Sequence, residues 1–383
     1  MVASRSPRKS HQAPGPGLRP EDELILCGAR LRLGPREVRH LRRLLHGDLD
    51  WDHLLKMAVR HGVIPLLHRH LKTMGPEAVP PAVLEHLQDR ARQIALENAH
   101  LTGELLRILA WCEAQGIAAV PFKGSVLAAW IYGDISLRPF GDLDILIRRD
   151  DLRRAKTLLL SHGYRQAYPE AAGRELGLLR TQLNYEFVHP SHGTVVDLHC
   201  EITPKYRPTS LQPPWERLER RSLAGKPVPS LPPEDLLLIL SVHGANHFWE
   251  RLMWIGDLAA LLEVHPTLDW DKVMDLAEGG GIGRILRLSL LLAQELLSAA
   301  LPGRVEEKLR ADPTLRSLAA KVRQRLWDET EAGRFKVWED IRLDLQLRDC
   351  FRDKVQHGLH LVFTPREGDL MALRLPESLH FLH

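Results

Sequence analysis

Residues 122–147 constrain the fold more than any other part of the chain. An apolar run at 117–122 leads into Lys-Gly-Ser at 123–125, an apolar helical run follows at 126–132, and Asp-Leu-Asp at 142–144 opens a second apolar run. Short apolar runs bounded by turn residues are typical of buried strands, so the order predicts strand, turn, helix and strand. Because side chains alternate along a strand, Asp142 and Asp144 should lie on one face of the sheet, opposite Leu143 and Ile145.

This pattern combines two kinds of binding group. Two carboxylates on one strand face, about two residues of rise apart, suit a divalent cation. Gly124 and Ser125 begin the predicted helix, whose free amides and positive dipole end suit a phosphate. A phosphate site opposite a carboxylate pair is what metal-assisted nucleotidyl transfer needs. The same residue types also fit a strand-to-helix turn with a Ser N-cap and a turn-capping Asp-x-Asp.

The motifs together carry a family resemblance. Lys-Gly-Ser, the apolar helix, the Arg-Pro link at 138–139 and Asp-Leu-Asp resemble the DNA-polymerase-β-like nucleotidyltransferase superfamily. The chain is most similar to its bacterial branch of poorly characterised nucleotidyltransferases, some of them associated with peptide natural-product gene clusters. The resemblance is specific over residues 122–201 and looser over 51–71 and 232–262. It implies that Gly124 and Ser125 hold a triphosphate and that Asp142 and Asp144 bind Mg²⁺.

A third carboxylate lies in a later strand-like run. Runs at 184–189 and 194–202 are joined by Pro-Ser-His-Gly at 190–193, which predicts a hairpin. Asp197 shares a face of the second run with Val195 and His199, and an Asp among β-branched residues is unfavourable unless it is paired or bound to metal. The resemblance places the family's third carboxylate at this Val-Asp-Leu-His motif. We therefore expect Asp142, Asp144 and Asp197 to be the catalytic set, to hold two Mg²⁺ ions, and to include Asp197 as general base.

The predicted nucleotide-binding group contains Lys123, Gly124, Ser125 and Arg138. Gly124 and Ser125 are expected at the β- and γ-phosphates, because Gly allows a close backbone approach and the Ser hydroxyl adds a donor. Lys123 either contacts a phosphate or lies along apolar surface. Arg138 either reaches a phosphate or forms a structural salt bridge.

Three more polar residues have open roles. His243 and His247 are four residues apart on a predicted helix, a spacing that can bind zinc, but the Glu of His-Glu-x-x-His is missing. Helix packing is favoured for them over a base-stacking role. Asp257 is expected to cap an internal polar network rather than to contact the nucleotide.

The predicted fold class is α+β, a small mixed β-sheet core between N-terminal and C-terminal helical domains. Six segments are expected: a disordered tail at 1–19, a helical region at 20–115, the sheet core at 116–203, a linker at 204–231, a helical domain at 232–330 and an extension at 331–383. A long helix over 82–114 carries an apolar stripe interpreted as core. A single helix is expected over 305–326, and a strand or short helix over 359–363.

Composition is compatible with this function. The chain has 383 residues with 44% hydrophobic and 26% charged, as in soluble globular proteins. A net charge of +3 suits an anionic nucleotide and is weak support for nucleic-acid binding. Four widely spaced cysteines indicate reduced thiols in a cytoplasmic protein. No apolar run reaches membrane-spanning length, so no membrane partner is expected.

We expect Mg²⁺-dependent transfer of AMP from ATP, or of another nucleoside monophosphate from its NTP, to a hydroxyl of a small molecule, peptide or protein. Two alternatives stay open. The chain is a nucleotide-binding, antitoxin-like interaction protein, or it is a transferase that acts on RNA. Retention of all three carboxylates argues against the first alternative, and the modest net charge argues against the second.

Overall fold

The computed structural model describes residues 18–167, 184–201, 214–328, 336–348 and 354–355. The fold is α+β, as the sequence predicts, with a five-stranded mixed sheet and a separate two-stranded sheet. The strands of the larger sheet are β1 (Ala119–Pro121), β2 (Asp142–Ile147), β3 (Arg165–Gln166), β4 (Asn184–Val188) and β5 (Val195–His199). The helices before and within this sheet are α1 (Pro20–Gly28), α2 (Pro35–Leu45), α3 (Trp51–His61), α4 (Ile64–Met74), α5 (Pro81–Ala114), α6 (Gly124–Trp130) and α7 (Leu152–Ser161). The helices after it are α8 (Pro233–Asn246), α9 (Leu252–Val264), α10 (Trp270–Gly279), α11 (Gly283–Leu297), α12 (Gly303–Ala311), α13 (Pro313–Trp327) and α14 (Lys336–Leu347).

The strand order in the larger sheet is β1-β2-β5-β4-β3. Strands β2 and β5 pair in parallel, whereas β1 with β2, β4 with β5 and β3 with β4 pair antiparallel. The alternation expected from the sequence is present: Leu143, Ile145 and Leu198 are buried in a core that also contains residues of α5 and α7. The polar residues of β2 and β5 therefore lie on the other face of the sheet.

The segment predicted as a linker contains a β-hairpin. Strands β6 (Glu219–Leu223) and β7 (Lys226–Ser230) pair antiparallel around Ala224 and Gly225, which both have positive φ. Pro227 and Pro229 had suggested irregular structure, but proline is tolerated on edge strands, and a two-stranded sheet consists only of edges. The segment thus contains regular structure that the sequence did not indicate, and its assignment as a linker stays a prediction.

The helices before and after the sheet share one hydrophobic core. Leu24 and Leu67, from α1 and α4, belong to the same buried cluster as Leu258 and Leu286, from α9 and α11. Regions that are distant in the sequence thus pack against each other and bring α3 and α5 close to α8 and α9. The predicted division into six segments stays a prediction.

The long helix α5 connects this core with the core beneath the sheet. Leu87 packs in the helical core, whereas Leu105 packs beneath the sheet. Between these points Ile94 lines a cavity, and Ala99 is exposed. Ala91 and Ile94 pack against the helical core, so the interpretation of the stripe as core holds for them and is wrong for Ala99.

The helix predicted over 305–326 is two helices, α12 and α13. Asp312 separates them, and its side chain accepts a hydrogen bond from the Thr314 amide at 3.0 Å. Pro313 occupies the first turn of α13, where its missing N–H has no intrahelical partner to lose. The Asp-Pro pair was the signal for this break.

Cys27, Cys112 and Cys200 form no disulfide bond among the described residues, and Cys350 lies outside them. The strand or helix expected over 359–363 also lies outside them. Among the described helices, none is both long and apolar enough to cross a membrane.

Candidate active site

Carboxylates from β2 and β5 lie side by side on the polar face of the sheet. The parallel register pairs Asp144 with Asp197 directly. Asp144 is buried, and its Oδ1 lies 2.7 Å from the Lys123 ammonium and 3.0 Å from the His199 Nε2. Asp144, Asp197 and His199 each offer one ligand atom, and these atoms lie within 4.8 Å of one another. We call Asp142, Asp144, Asp197, Lys123 and His199 the carboxylate cluster.

The cluster contains more negative charge than its own cations balance. Burial raises the pKa of Asp197 to about 6, and the neighbouring carboxylates of Asp144 and Asp142 act in the same direction. Burial, followed by the charge of Asp144, also raises the pKa of Asp142. Burial opposes the charge on Asp144 as well, but Lys123 and His199 outweigh it and hold the pKa of that carboxyl well below its usual range.

The oxygens of this cluster fit a divalent cation. The Oδ1 atom of Asp197 is buried, and it has no hydrogen-bond partner among the residues that the structure describes. A buried acceptor without a partner is costly, and carboxylate oxygens are the ligands that Mg²⁺ prefers. Of the three carboxylates predicted to bind metal, Asp144 and Asp197 belong to the group of close donor atoms, whereas Asp142 does not. His199 is an additional donor with imidazole chemistry.

The Lys-Gly-Ser turn lies at the start of α6, next to the cluster. Gly124 has φ +50°, and a Cβ atom at this position would lie 3.3 Å from Phe140 Cδ2 and 3.4 Å from the Asp142 carbonyl oxygen. Both the left-handed backbone and the close approach require glycine. Ser125 is buried, and its hydroxyl has no hydrogen-bond partner in the described part of the chain. Gly124 lines the cavity, whereas Ser125 is not among its lining residues.

Arg138 is held by a carboxylate of the helical half. Its Nε and Nη2 donate to the two oxygens of Asp257 at 2.7 and 2.8 Å, and Tyr132 Oη donates to Asp257 Oδ1 at 2.7 Å. Burial disfavours the Arg138 charge, but Asp257 outweighs it, so the pKa of Arg138 is raised. Arg138 was expected either to reach a phosphate or to form a structural salt bridge, and the structure shows the salt bridge, with Asp257. Asp257 lies in an internal polar network, as expected.

A cavity of about 790 Å³ opens over the carboxylate cluster. Lys123, Asp142 and Asp144 line it on the sheet side. Residues of α3 to α5, including Val59 and Ile94, form a second side. Its volume falls within the usual range for small-molecule sites. The cavity is therefore bounded by the sheet and by helices from both helical regions.

Residues 47–298 match the model of a family described as uncharacterised nucleotidyltransferase. The chain belongs to this family. The match extends from the residues just before α3 to the first residue after α11, so it includes every element that contributes to the cavity. The protein is thus an enzyme that transfers nucleotidyl groups. No curated protein matches the chain.

In this nucleotidyltransferase, His243, His247 and Trp254 form a third side of the cavity, which we call the aromatic wall. Nδ1 of His243 lies 3.4 Å from Nζ of Lys123. Burial, followed by the charge of Lys123, lowers the pKa of His243, so its ring is neutral near pH 7. Neither histidine belongs to a three-ligand metal group in the described residues, and the zinc interpretation has no support there. Both rings line the cavity, which the helix-packing interpretation did not anticipate.

Two residues of the site had no predicted role. The sequence put His199 on the face of Asp197, and the period-two alternation was the signal that it would join the cluster. Tyr132 completes the network of Asp257 across 125 residues of sequence. No local sequence pattern predicts this contact, because it depends on how the C-terminal helices of the transferase pack against the segment that follows α6.

Proposed function

We propose that the protein transfers a nucleoside monophosphate, AMP from ATP, to a hydroxyl of a small molecule, peptide or protein in an Mg²⁺-dependent reaction. The observation that carries this proposal is the pairing of Asp144 with Asp197 across two neighbouring strands, together with a buried Asp197 oxygen that lacks a partner in the described chain. The unpartnered oxygen is available to a cation, whereas the carboxylate oxygens of a structural ion pair are already occupied by their partner. Family membership supports the reaction type.

In the proposed reaction the acceptor oxygen forms a bond to the α-phosphorus, and the bond from the α-phosphorus to the bridging oxygen of the β-phosphate breaks. The electron pair of that bond leaves with pyrophosphate. Bound Mg²⁺ would lower the pKa of the acceptor hydroxyl and neutralise charge on the pyrophosphate. Asp197 accepts the hydroxyl proton, for which its raised pKa of about 6 suits it near neutral pH.

The other residues of the cluster bind and orient the nucleotide. Lys123 balances Asp144 in the free protein, and the same ammonium contacts the phosphates when a nucleotide enters the cavity. The amides around Gly124, which lines the cavity, add donors to the phosphates, whereas Ser125 is buried behind the cavity lining. Arg138 acts indirectly, since Asp257 holds its guanidinium.

The test is label transfer with two forms of ATP, labelled at the α- or the γ-phosphate, added to the full chain with Mg²⁺ and a cell extract as the source of acceptors. Transfer of the α-label, with release of the γ-label in pyrophosphate, is expected. The Asp144→Asn variant should lose the transfer. Asp150→Asn is the matched control, because Asp150 is exposed beyond the end of the same strand.

Three results would contradict the proposal. Transfer of the γ-label would identify a kinase reaction. Binding of ATP without transfer to any acceptor, including the chain itself, would favour the antitoxin-like alternative. Transfer confined to RNA would replace the proposed acceptor class.

A further inference from the structure

The aromatic wall adjoins the carboxylate cluster through Lys123. Lys123 contacts Asp144 at 2.7 Å and His243 at 3.4 Å. The His243 and His247 ring centroids are 4.8 Å apart, and the rings of His247 and Trp254 are 4.7 Å apart with an interplanar angle of 30°. The His243 ring lies edge-on to the other two, at 65° to His247 and 85° to Trp254, so the flat part of the wall is formed by His247 and Trp254.

This wall is not part of the hydrophobic core. Trp249 lies five residues before Trp254 and is fully buried, so this segment already supplies a core tryptophan. Trp254 is only half-buried, and His247 is exposed. Rings that line a cavity, and do not fill the core, keep surface available for a flat partner.

We propose that the aromatic wall binds the base of the donor nucleotide and that this base is a purine. This inference rests on the proposed function, which places the phosphates at the carboxylate cluster. The base of a nucleoside triphosphate is one sugar away from its α-phosphate, and the aromatic wall adjoins the carboxylate cluster through the contact of His243 with Lys123. Bases stack on aromatic side chains through their π-faces. A two-ring base covers more of the two-ring indole of Trp254 than a one-ring base does.

The experiment measures the affinity of the full chain for ATP, GTP, CTP, UTP and inorganic tripolyphosphate, each with Mg²⁺, by isothermal titration calorimetry. Tripolyphosphate has the phosphates of the substrate but no base. For the wild type we expect ATP or GTP to bind more tightly than CTP, UTP and tripolyphosphate. The variants are Trp254→Ala, Trp254→Phe and Trp111→Ala.

Trp254→Ala should weaken the binding of the preferred purine nucleotide about 5- to 100-fold, the usual range for loss of one stacking partner, and leave tripolyphosphate binding unchanged. Trp254→Phe should restore most of the affinity, because a flat ring is kept. Trp111→Ala is the matched control: Trp111 also stacks on a histidine, His162, with ring centroids 3.7 Å apart, but it is not among the residues lining the cavity. It should change neither affinity.

Several outcomes would overturn the assignment. Equal losses for purine nucleotide and tripolyphosphate in Trp254→Ala and Trp254→Phe would show a structural role for Trp254. Wild-type binding of tripolyphosphate as tight as that of every nucleotide would show that no base subsite exists, although the proposed function would stand. Tighter binding of CTP or UTP would refute the purine assignment. Binding of neither nucleotides nor tripolyphosphate would refute the proposed function as well.

Discussion

Two groups of charged residues lie near each other in this protein and are built differently. In the carboxylate cluster, three acids face Lys123 and His199, and one buried oxygen lacks a partner within the described chain. In the second group, which we call the α9 anchor, Tyr132 and Arg138 saturate Asp257 on helix α9. His61 extends this anchor, since its Nδ1 accepts the Leu252 amide at the start of α9.

This difference in charge balance indicates that the carboxylate cluster serves function and that the α9 anchor serves stability. A group with excess charge of one sign and an unpartnered acceptor is suited to take up a ligand, and it lowers stability until it does so. A buried ion pair with every partner in place holds two elements together, and its disruption leaves an uncompensated charge. Substitutions in the cluster should therefore affect activity, and substitutions in the anchor should affect folding.

The largest effect is expected for Asp197→Asn. The variant loses a predicted metal ligand and the predicted proton acceptor, so activity should fall on the order of 10³-fold, which corresponds to about 4 kcal/mol of transition-state stabilisation. Thermal stability should be unchanged or higher, because burial disfavours the native charge. Initial rates of α-label transfer and a thermal denaturation curve measure the two quantities. A large fall in melting temperature would show that Asp197 stabilises the fold, which would contradict a role confined to catalysis.

The next largest effect is expected for Arg138→Met. Asp257 would remain buried and unpaired, so the free energy of unfolding should fall by about 3–5 kcal/mol in urea denaturation. The double variant Arg138→Met/Asp257→Leu should recover at least half of this loss, because no charge is left buried. Arg304→Met is the matched control: Arg304 pairs with Asp271 at 2.7 Å, but the two side chains are 56% and 79% exposed, so at most about 1 kcal/mol should be lost.

If Arg138→Met left stability unchanged and abolished activity, the contrast between the two groups would fail at this residue. Arg138 would then act on the nucleotide, as one of the two sequence interpretations held. A double variant no more stable than Arg138→Met would show that packing around the pair, and not its charge balance, supports α9.

Acid should weaken the anchor through His61. Burial lowers the pKa of His61 from 6.5 to about 3, so the native state holds this ring neutral. The stabilisation is therefore complete above pH 6.5 and is lost progressively as the pH falls from 6.5 towards 3. His61→Gln keeps an acceptor for the Leu252 amide but does not titrate. Between pH 6 and 4, its free energy of unfolding should fall less steeply than that of the wild type, by about 1 kcal/mol per pH unit.

Urea denaturation at pH 7.5, 6, 5 and 4 measures this difference. At pH 7.5 the ring is neutral in both folded and unfolded chains, so the comparison there isolates the packing effect of the substitution. Parallel pH profiles for the wild type and the variant would show that another group controls the acid sensitivity.

The sequence predicted the carboxylate cluster far better than the anchor. Asp142 and Asp144 lie in a strand whose bounds were predicted to the residue, because period-two alternation and flanking turn residues are local signals. Asp197 followed from the hairpin signal and from its unfavourable position among β-branched residues. The pairing of Asp144 with Asp197 is long-range, and the family resemblance supplied it.

The anchor depends on contacts that no local pattern encodes. Arg138 and Asp257 are 119 positions apart, and their pairing follows from the shared core of the two helical regions. The aromatic wall is similar: the four-residue spacing of His243 and His247 predicted a shared helix face, but not what that face would meet. Trp254 enters the wall only because α9 is held next to α8.

The smallest effect is expected for Gly124→Ala, at the turn that adjoins the cluster. Alanine in a left-handed conformation costs about 1–2 kcal/mol, and the new methyl group would press on Phe140 and on the Asp142 carbonyl. Because Asp142 belongs to the cluster, activity should fall together with a modest loss in the free energy of unfolding. In the anchor variants, by contrast, the loss in the free energy of unfolding is the main effect. Gly116→Ala is the matched control, since Gly116 also has a positive φ of +63°, but a Cβ atom there meets no atom within 4 Å and the residue is not among those lining the cavity. Urea denaturation and label-transfer rates measure both effects, and a stability loss in Gly124→Ala with full activity would show that the turn supports the fold without positioning the cluster.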